Sequence, residues 1–337
     1  MNLNVPTTTS PWPHRWAVVL ACATFPLLWV GGLVTTTDAG MAVPDWPTTY
    51  GYNMFLYPWT TWLTGPWDLF VEHGHRLLAS AVGVLTIGLL VVLWRCDSRW
   101  WIRGLGVAAL ALVIFQGVLG GMRVLLDERT LAMLHGCTGP LFFGLTVALV
   151  VFTSRSWRDA DAPVVSPASA IVRWLAVATC VLTYLQLMLG AVVRHVPVDG
   201  GPHTFALAVR FHLAMAAVLA IHIALVVWLV RRNFRQVTAL NRLALLLASL
   251  MLLQVGLGMA TWVVKFAVPA AIVHRWPDAA ITVQAGGWWQ THIITAHVAV
   301  GSALLGTSLA LALVAMRRLS GSATVPHAAP RKLGVAT

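Results

Sequence analysis

"FVEHGHRLLASAVGVLTIGLLVVLW", residues 70–94, places Glu72, His73, His75 and Arg76 at the mouth of a long apolar run. The run over 73–94 is long enough to cross a bilayer, which takes about 20 residues. Ionisable groups at such a position are costly, so their presence points to function. Everything else in the chain is read around this segment.

Seven further runs have the same character, giving spans near 16–34, 73–94, 104–125, 131–152, 171–193, 207–230, 242–266 and 290–316. The chain is 58% hydrophobic and 10% charged, where a soluble domain carries about 25% charged residues. Spans of this length satisfy their own backbone groups only as helices, so the expected class is an all-α integral membrane protein.

The net charge of +11 is a topology signal. Arg15, the Arg95–Arg103 group, the Arg155–Arg173 group, the Arg231–Arg242 group and the Arg317–Lys332 group all fall in alternate loops. They hold 15 of the 22 cationic residues. The positive-inside rule puts those loops and both termini in the cytoplasm, most simply of a bacterial inner membrane. Nucleic acid drops out as a partner. The first 15 residues have neither a signal-peptide nor a transit-peptide pattern, and 318–337 reads as a disordered tail. Cys22, Cys96, Cys137 and Cys180 lie in or beside apolar runs without CxxC spacing. They are expected to be buried thiols with no disulfide.

The second half echoes the first. "QGVLGGMRV" (116–124), "QLMLGAVVRH" (186–195) and "QVGLGMATW" (254–262) share a Gln-x-x-Leu-Gly core, and "WVGGLVTTT" (29–37) ends its span much as the fifth span ends. Small residues let membrane helices approach closely, and the glutamines can bond across helices. Four spans return the chain to its starting side. The expected architecture is therefore eight transmembrane helices as two pseudo-symmetric four-helix bundles, 16–152 and 172–317, joined by a cytoplasmic linker at 153–171.

His75, His135, His212 and His297 sit near the outer ends of the second, fourth, sixth and eighth spans, two in each half. A facing histidine pair inside a four-helix bundle is a natural haem clamp, since neutral imidazole is a common axial ligand. Zinc prefers a compact tetrahedral set with cysteine or carboxylate help, which this spacing does not offer. His292 competes with His297 for the last position. Arg76, Arg123, Arg194 and Arg210 stand near outer helix ends, where they can meet haem propionates or snorkel to lipid headgroups.

The segments 31–51, 72–80, 116–124, 131–144, 189–195, 210–216, 254–259 and 297–306 together resemble the haem A synthase family, over nearly the whole chain. The resemblance implies a membrane oxidoreductase that converts a methyl group of haem O to the formyl group of haem A for cytochrome oxidase. It implies substrate haem O on His75 and His135, haem b on His212 and His297, and Glu72 as the essential acidic residue. Haem O synthase, oxidase assembly proteins and an unidentified electron acceptor are the implied partners. Some bacterial members carry cysteine pairs in outer loops; this chain has none, so a loop thiol takes no part here.

Glu72 precedes His75 by three residues, on the same helix face. A carboxylate there can accept protons from a methyl carbon under oxidation or stabilise positive charge on it. It can equally answer the helix dipole or pair with Arg76. The matched position before His212 is Val209, so only the first half adds a carboxylate to its histidine pair. The rival class is a di-haem cytochrome b-like electron carrier. Such proteins usually place their haems on opposite membrane sides, whereas these four histidines share one side. A transporter would call for helices broken at matched mid-membrane positions, which the sequence lacks.

Overall fold

The computed structural model describes residues 10–197 and 200–320. The helices are α1 (Trp12–Thr36), α2 (Trp59–Thr64), α3 (Trp67–Cys96), α4 (Trp100–Leu126), α5 (Arg129–Thr153), α6 (Arg155–Arg158), α7 (Ser169–His195), α8 (Gly201–Asn233), α9 (Thr238–Phe266), α10 (Ala270–Arg275) and α11 (Trp288–Arg318). Among the described residues eight helices are long and apolar enough to cross a membrane: α1, α3, α4, α5, α7, α8, α9 and α11. Val84, Ile221 and Leu252 are 68%, 72% and 76% exposed on their outer faces, as contact with lipid requires.

Each spanning helix starts two to six residues before the apolar run that marks it. Hydropathy stops where polar and aromatic residues begin, but the helix does not. Pro13 near the start of α1 has the φ of a first turn, and Asp68 in the first turn of α3 suits the dipole. Glu72 and His75 therefore stand inside α3 rather than at its tip.

In the first half α1 packs on α3 and α5, and α4 closes the ring between α3 and α5. In the second, α7 packs on α8 and α11, and α9 lies between α8 and α11. Across the halves, α11 meets α1 and α5, and α5 meets α7.

Each half has its own apolar core. One centres on Leu20, Val82, Leu89, Leu93, Ile102, Phe142 and Leu149. The other centres on Leu219, Ile223, Val226, Phe234, Leu247, Leu304 and Leu311. Both use the early turns of α1, α4, α7 and α9 and the late turns of α3, α5, α8 and α11. Close packing thus ties each ring at its arginine-rich end and leaves polar side chains for the other end.

The linker and tail differ from expectation. Thr153 still belongs to α5, Ser169 already to α7, and Val164–Val165 (β1) pairs in parallel with Leu319–Ser320 (β2). Arg318 ends α11 and donates to Asp161 at 2.9 Å. The start of the presumed tail is therefore ordered against the linker; residues 321–337 and 1–9 lie outside the described residues. All four cysteines are free, but Cys22 and Cys96 are exposed rather than buried. Apolar runs face lipid as well as core, so lying in one does not imply burial.

Candidate functional site

His75, His135, His212 and His297 lie within about three turns of the starts of α3, α5, α8 and α11, all at one end of the molecule. They meet in twos. The rings of His75 and His135 are 6.5 Å apart between centroids, at 86°. Those of His212 and His297 are 6.4 Å apart, at 71°. Two imidazoles binding one metal from opposite sides, through bonds of about 2 Å, hold their ring centres about 6.3 Å apart. Both pairs have room for one metal atom. Among the described residues no group of three or more His, Cys, Asp or Glu is placed to hold an ion, so a compact zinc-type site is not offered.

The ring nitrogens meet glutamine side chains and a backbone carbonyl. His135 Nδ1 donates to Gln116 O at 3.1 Å, which leaves Nε2 as the free lone pair. Gln116 Nε2 donates to His135 O at 3.3 Å and to Thr138 Oγ1. Gln186 Nε2 lies 3.1 Å from both His212 Nδ1 and His212 O. Gln254 Nε2 lies 3.5 Å from His297 Nε2. The Nδ1 atoms of His75 and His297 are buried without a hydrogen-bond partner among the described residues. The ring spacing of both pairs, with the His135 Nδ1–H already bonded so that Nε2 is left as the ligand atom, fits a bis-imidazole haem.

His73 and His292 are elsewhere. His73 faces Thr49 Oγ1 at 3.1 Å, with Tyr57 and Trp62 against its ring. His292 donates from Nδ1 to Trp288 O at 2.8 Å and stacks on the Trp288 ring at 4.2 Å.

The loop between α1 and α2 covers the first pair. Glu72 is 2% exposed. Its Oε1 accepts from Arg76 NH2 at 2.8 Å and its Oε2 from Val43 N at 2.9 Å. Arg76 also donates to Val43 O at 2.9 Å, Asp45 O at 2.7 Å and Thr48 O at 3.0 Å. All four N–H groups on its terminal nitrogens point into the protein. The Asp45 carboxylate accepts from Tyr50 N and Gly51 N, each at 2.8 Å, and from Thr48 Oγ1. Burial alone would raise its pKa; these hydrogen bonds outweigh that and hold it below the usual carboxylate value. Trp46 lies on Gly121 of α4, where any side chain would collide with the indole.

The other arginines divide. Arg123 NH2 donates to Gly40 O at 3.3 Å, from α4 into the loop. Arg194 NH2 on α7 donates to Gly32 O at 3.1 Å and Thr36 Oγ1 at 2.6 Å on α1, bridging the halves. Arg210 is exposed on α8. Sequence reasoning missed the backbone clasp of Glu72 and Arg76, because its partners lie 28 to 33 residues away in an irregular loop.

Fold and site define a class: a multi-pass, all-α membrane protein with two facing histidine pairs at one end. Comparison with known proteins shows what the chain is similar to. The family model described as "Cytochrome oxidase assembly protein" (COX15-CtaA) matches residues 66–198, which take in Glu72 and the first pair. The chain is 30% identical over 186 residues to "Heme A synthase" of Shouchella clausii, covering 54% of this chain and 58% of that protein. It is 28% identical over 254 residues to that of Symbiobacterium thermophilum (69% and 79%), and 24% over 282 residues to that of Lysinibacillus sphaericus (77% and 89%). The chain is thus similar to proteins named heme A synthase over half to three quarters of its length.

Proposed function

We propose that the chain is a haem A synthase, which oxidises a methyl group of haem O to a formyl group and so supplies haem A for cytochrome oxidase. The observation that carries this reading is the matched spacing of the two imidazole pairs, 6.5 and 6.4 Å, at one end of the molecule. In this reading His75 and His135 hold substrate haem O in the unit 16–152, and His212 and His297 hold haem b in the unit 172–317. Bound haem b would supply a redox-active iron. Two hydroxylations of the substrate methyl carbon, each taking an oxygen from water and passing two electrons and two protons to the electron acceptor, give an alcohol and then a geminal diol, and loss of water leaves the formyl group.

The chain's own residues prepare the first site. Glu72, one turn before His75, is a carboxylate fixed by Arg76 and by the Val43 N–H. It offers negative charge where a methyl carbon is oxidised, to take up protons or to offset developing positive charge. The loop clasped by Glu72, Arg76 and Arg123 keeps water from that end. Arg123 for the first pair, and Arg194 and Arg210 for the second, are the cations offered to propionates; each keeps N–H groups that no hydrogen bond above uses.

The arginine-rich ends face the cytoplasm in this reading, with both termini, and the histidine end faces outward across a bacterial inner membrane. Haem O synthase upstream, oxidase assembly proteins downstream and an electron acceptor are the partners it calls for.

The test is extraction of haems from cells that make haem O, with and without this protein, followed by mass identification. A formyl or hydroxymethyl haem that depends on the protein is expected. Two haems bound and unchanged would select the di-haem electron carrier instead.

A further inference from the structure

Each of the four histidines lies against a glycine of the preceding spanning helix. A Cβ built on Gly31 of α1 would stand 3.0 Å from His75 Cε1. On Gly120 of α4 it would stand 3.2 Å from His135 Cε1. On Gly190 of α7 and Gly258 of α9 it would stand 3.2 Å from Cε1 of His212 and His297. The same ring atom meets the same missing group four times, at a distance tighter than ordinary van der Waals contact. These glycines have ordinary helical backbones, so conformational freedom does not explain them.

Three of the four are the last residue of the Gln-x-x-Leu-Gly core, with Gln116, Gln186 and Gln254 one turn earlier. Gln186 and Gln254 reach the rings of His212 and His297, while the Gln116 side chain reaches the His135 carbonyl and its own carbonyl accepts from the His135 ring. In α1 the position four before Gly31 is Leu27. His75 is left with no hydrogen bond from its ring among the described residues, and its Nδ1 is buried.

We propose that Gly31, Gly120, Gly190 and Gly258 are positioning residues that seat the four imidazoles, and that His75, lacking the glutamine, is the least firmly held. The inference rests on the haem-binding reading above and adds to it a physical reason for exchange at the first pair. A ligand that must release its product gains from a ring free to turn; a resident cofactor does not. Packing thus makes the two pairs unequal although their ring spacings agree.

The test uses the full-length protein and controls from the same helices. Gly117 and Gly256 have nothing within 4 Å of an added Cβ. Gly117→Ala and Gly256→Ala therefore gain helix propensity without touching a ring. Gly120→Ala and Gly258→Ala gain the same propensity and push His135 and His297. Purified Gly258→Ala is expected to retain several-fold less haem at the second pair, with an altered low-spin spectrum, while Gly256→Ala matches the parent. Gly120→Ala and Gly117→Ala should differ in the same sense at the first pair. Ring separations in structures of these variants read the displacement even without haem.

Equal rings and equal haem in variants and controls would overturn the seat. Leu27→Gln should slow release of haem from the first pair by several-fold; an unchanged rate would overturn the reading of His75. A parent protein that binds no haem, yet whose rings shift as predicted, would defeat the haem reading and leave the seat standing.

Discussion

Glu72 and Arg76 form an ion pair of 2.8 Å one helical turn apart, with side chains 3% and 9% exposed. Both charges are out of water, and each also bonds to the backbone of the loop at Val43. Breaking a buried pair from one side costs about 3–5 kcal/mol, because the other charge stays behind. Glu72→Ala and Arg76→Ala should both loosen the loop, read as faster hydrogen exchange at residues 43–49. Glu72→Gln separates clasp from chemistry: its amide oxygen can still accept from Val43 N, but the charge is gone. Glu72→Gln is expected to keep most of the loop protection and to form no formyl haem. Product at the parental level from Glu72→Gln would reduce Glu72 to a clasp.

Asp45 makes the same loop sensitive to acid. Its carboxyl titrates below the ordinary value of 3.8, after burial is offset by the bonds from Thr48, Gly51 and Tyr50. A depressed carboxylate contributes stability that is present above its unfolded pKa and lost as pH falls through its folded pKa. Protection of residues 45–51 should hold from neutrality to about pH 4 and fall away below it. Asp45→Asn should remove that acid transition and lower protection at neutral pH. An identical pH profile in Asp45→Asn would show that the carboxylate does not order the turn.

Arg194 predicts how the halves communicate mechanically. It reaches from α7 to Gly32 O and Thr36 Oγ1 on α1, and Thr295 Oγ1 of α11 donates to the same threonine at 3.3 Å. A hydrogen bond from a charged donor contributes about 1.5–3 kcal/mol. Arg194→Met should lower the unfolding midpoint in detergent, and Thr36→Val should do so less. Combined, the two should fall short of the sum by at least about 0.5 kcal/mol, as contacting residues do. Strict additivity would place Arg194 elsewhere in the working protein.

How much of this was legible in the sequence depends on the length scale of each interaction. The spans were, because twenty apolar residues in a row have one outcome in a bilayer. Their outer ends were not, because Trp67 and Pro13 begin helices without adding hydropathy. The histidine pairs were legible through the repeat, which fixed two per half on one side. The arginines look alike in the sequence and behave differently: Arg76, Arg123 and Arg194 find carbonyls on neighbouring segments while Arg210 is exposed, and nothing local distinguishes them. The role of Gly31 was hidden for a related reason. A glycine among glycines gives no sign of the ring across from it until His75 is placed.

His292 and His297 differ in what each ring touches, and the difference yields the last prediction. His292 is occupied by Trp288, through a hydrogen bond and a stacked face, and it is half-buried. His297 is turned inward, one glycine from α9 and one ring-width from His212. Two ligands that grip one metal act as a unit, so removing either loses most of what removing both would lose. His297→Ala and His212→Ala should each empty the second pair, and the double variant should look no worse by haem content and visible spectrum. His292→Ala should retain haem with an unchanged spectrum, and its loss should be confined to the Trp288 contact at the start of α11. Haem lost from His292→Ala but kept in His297→Ala would reverse the assignment and require α11 to rotate by more than a third of a turn.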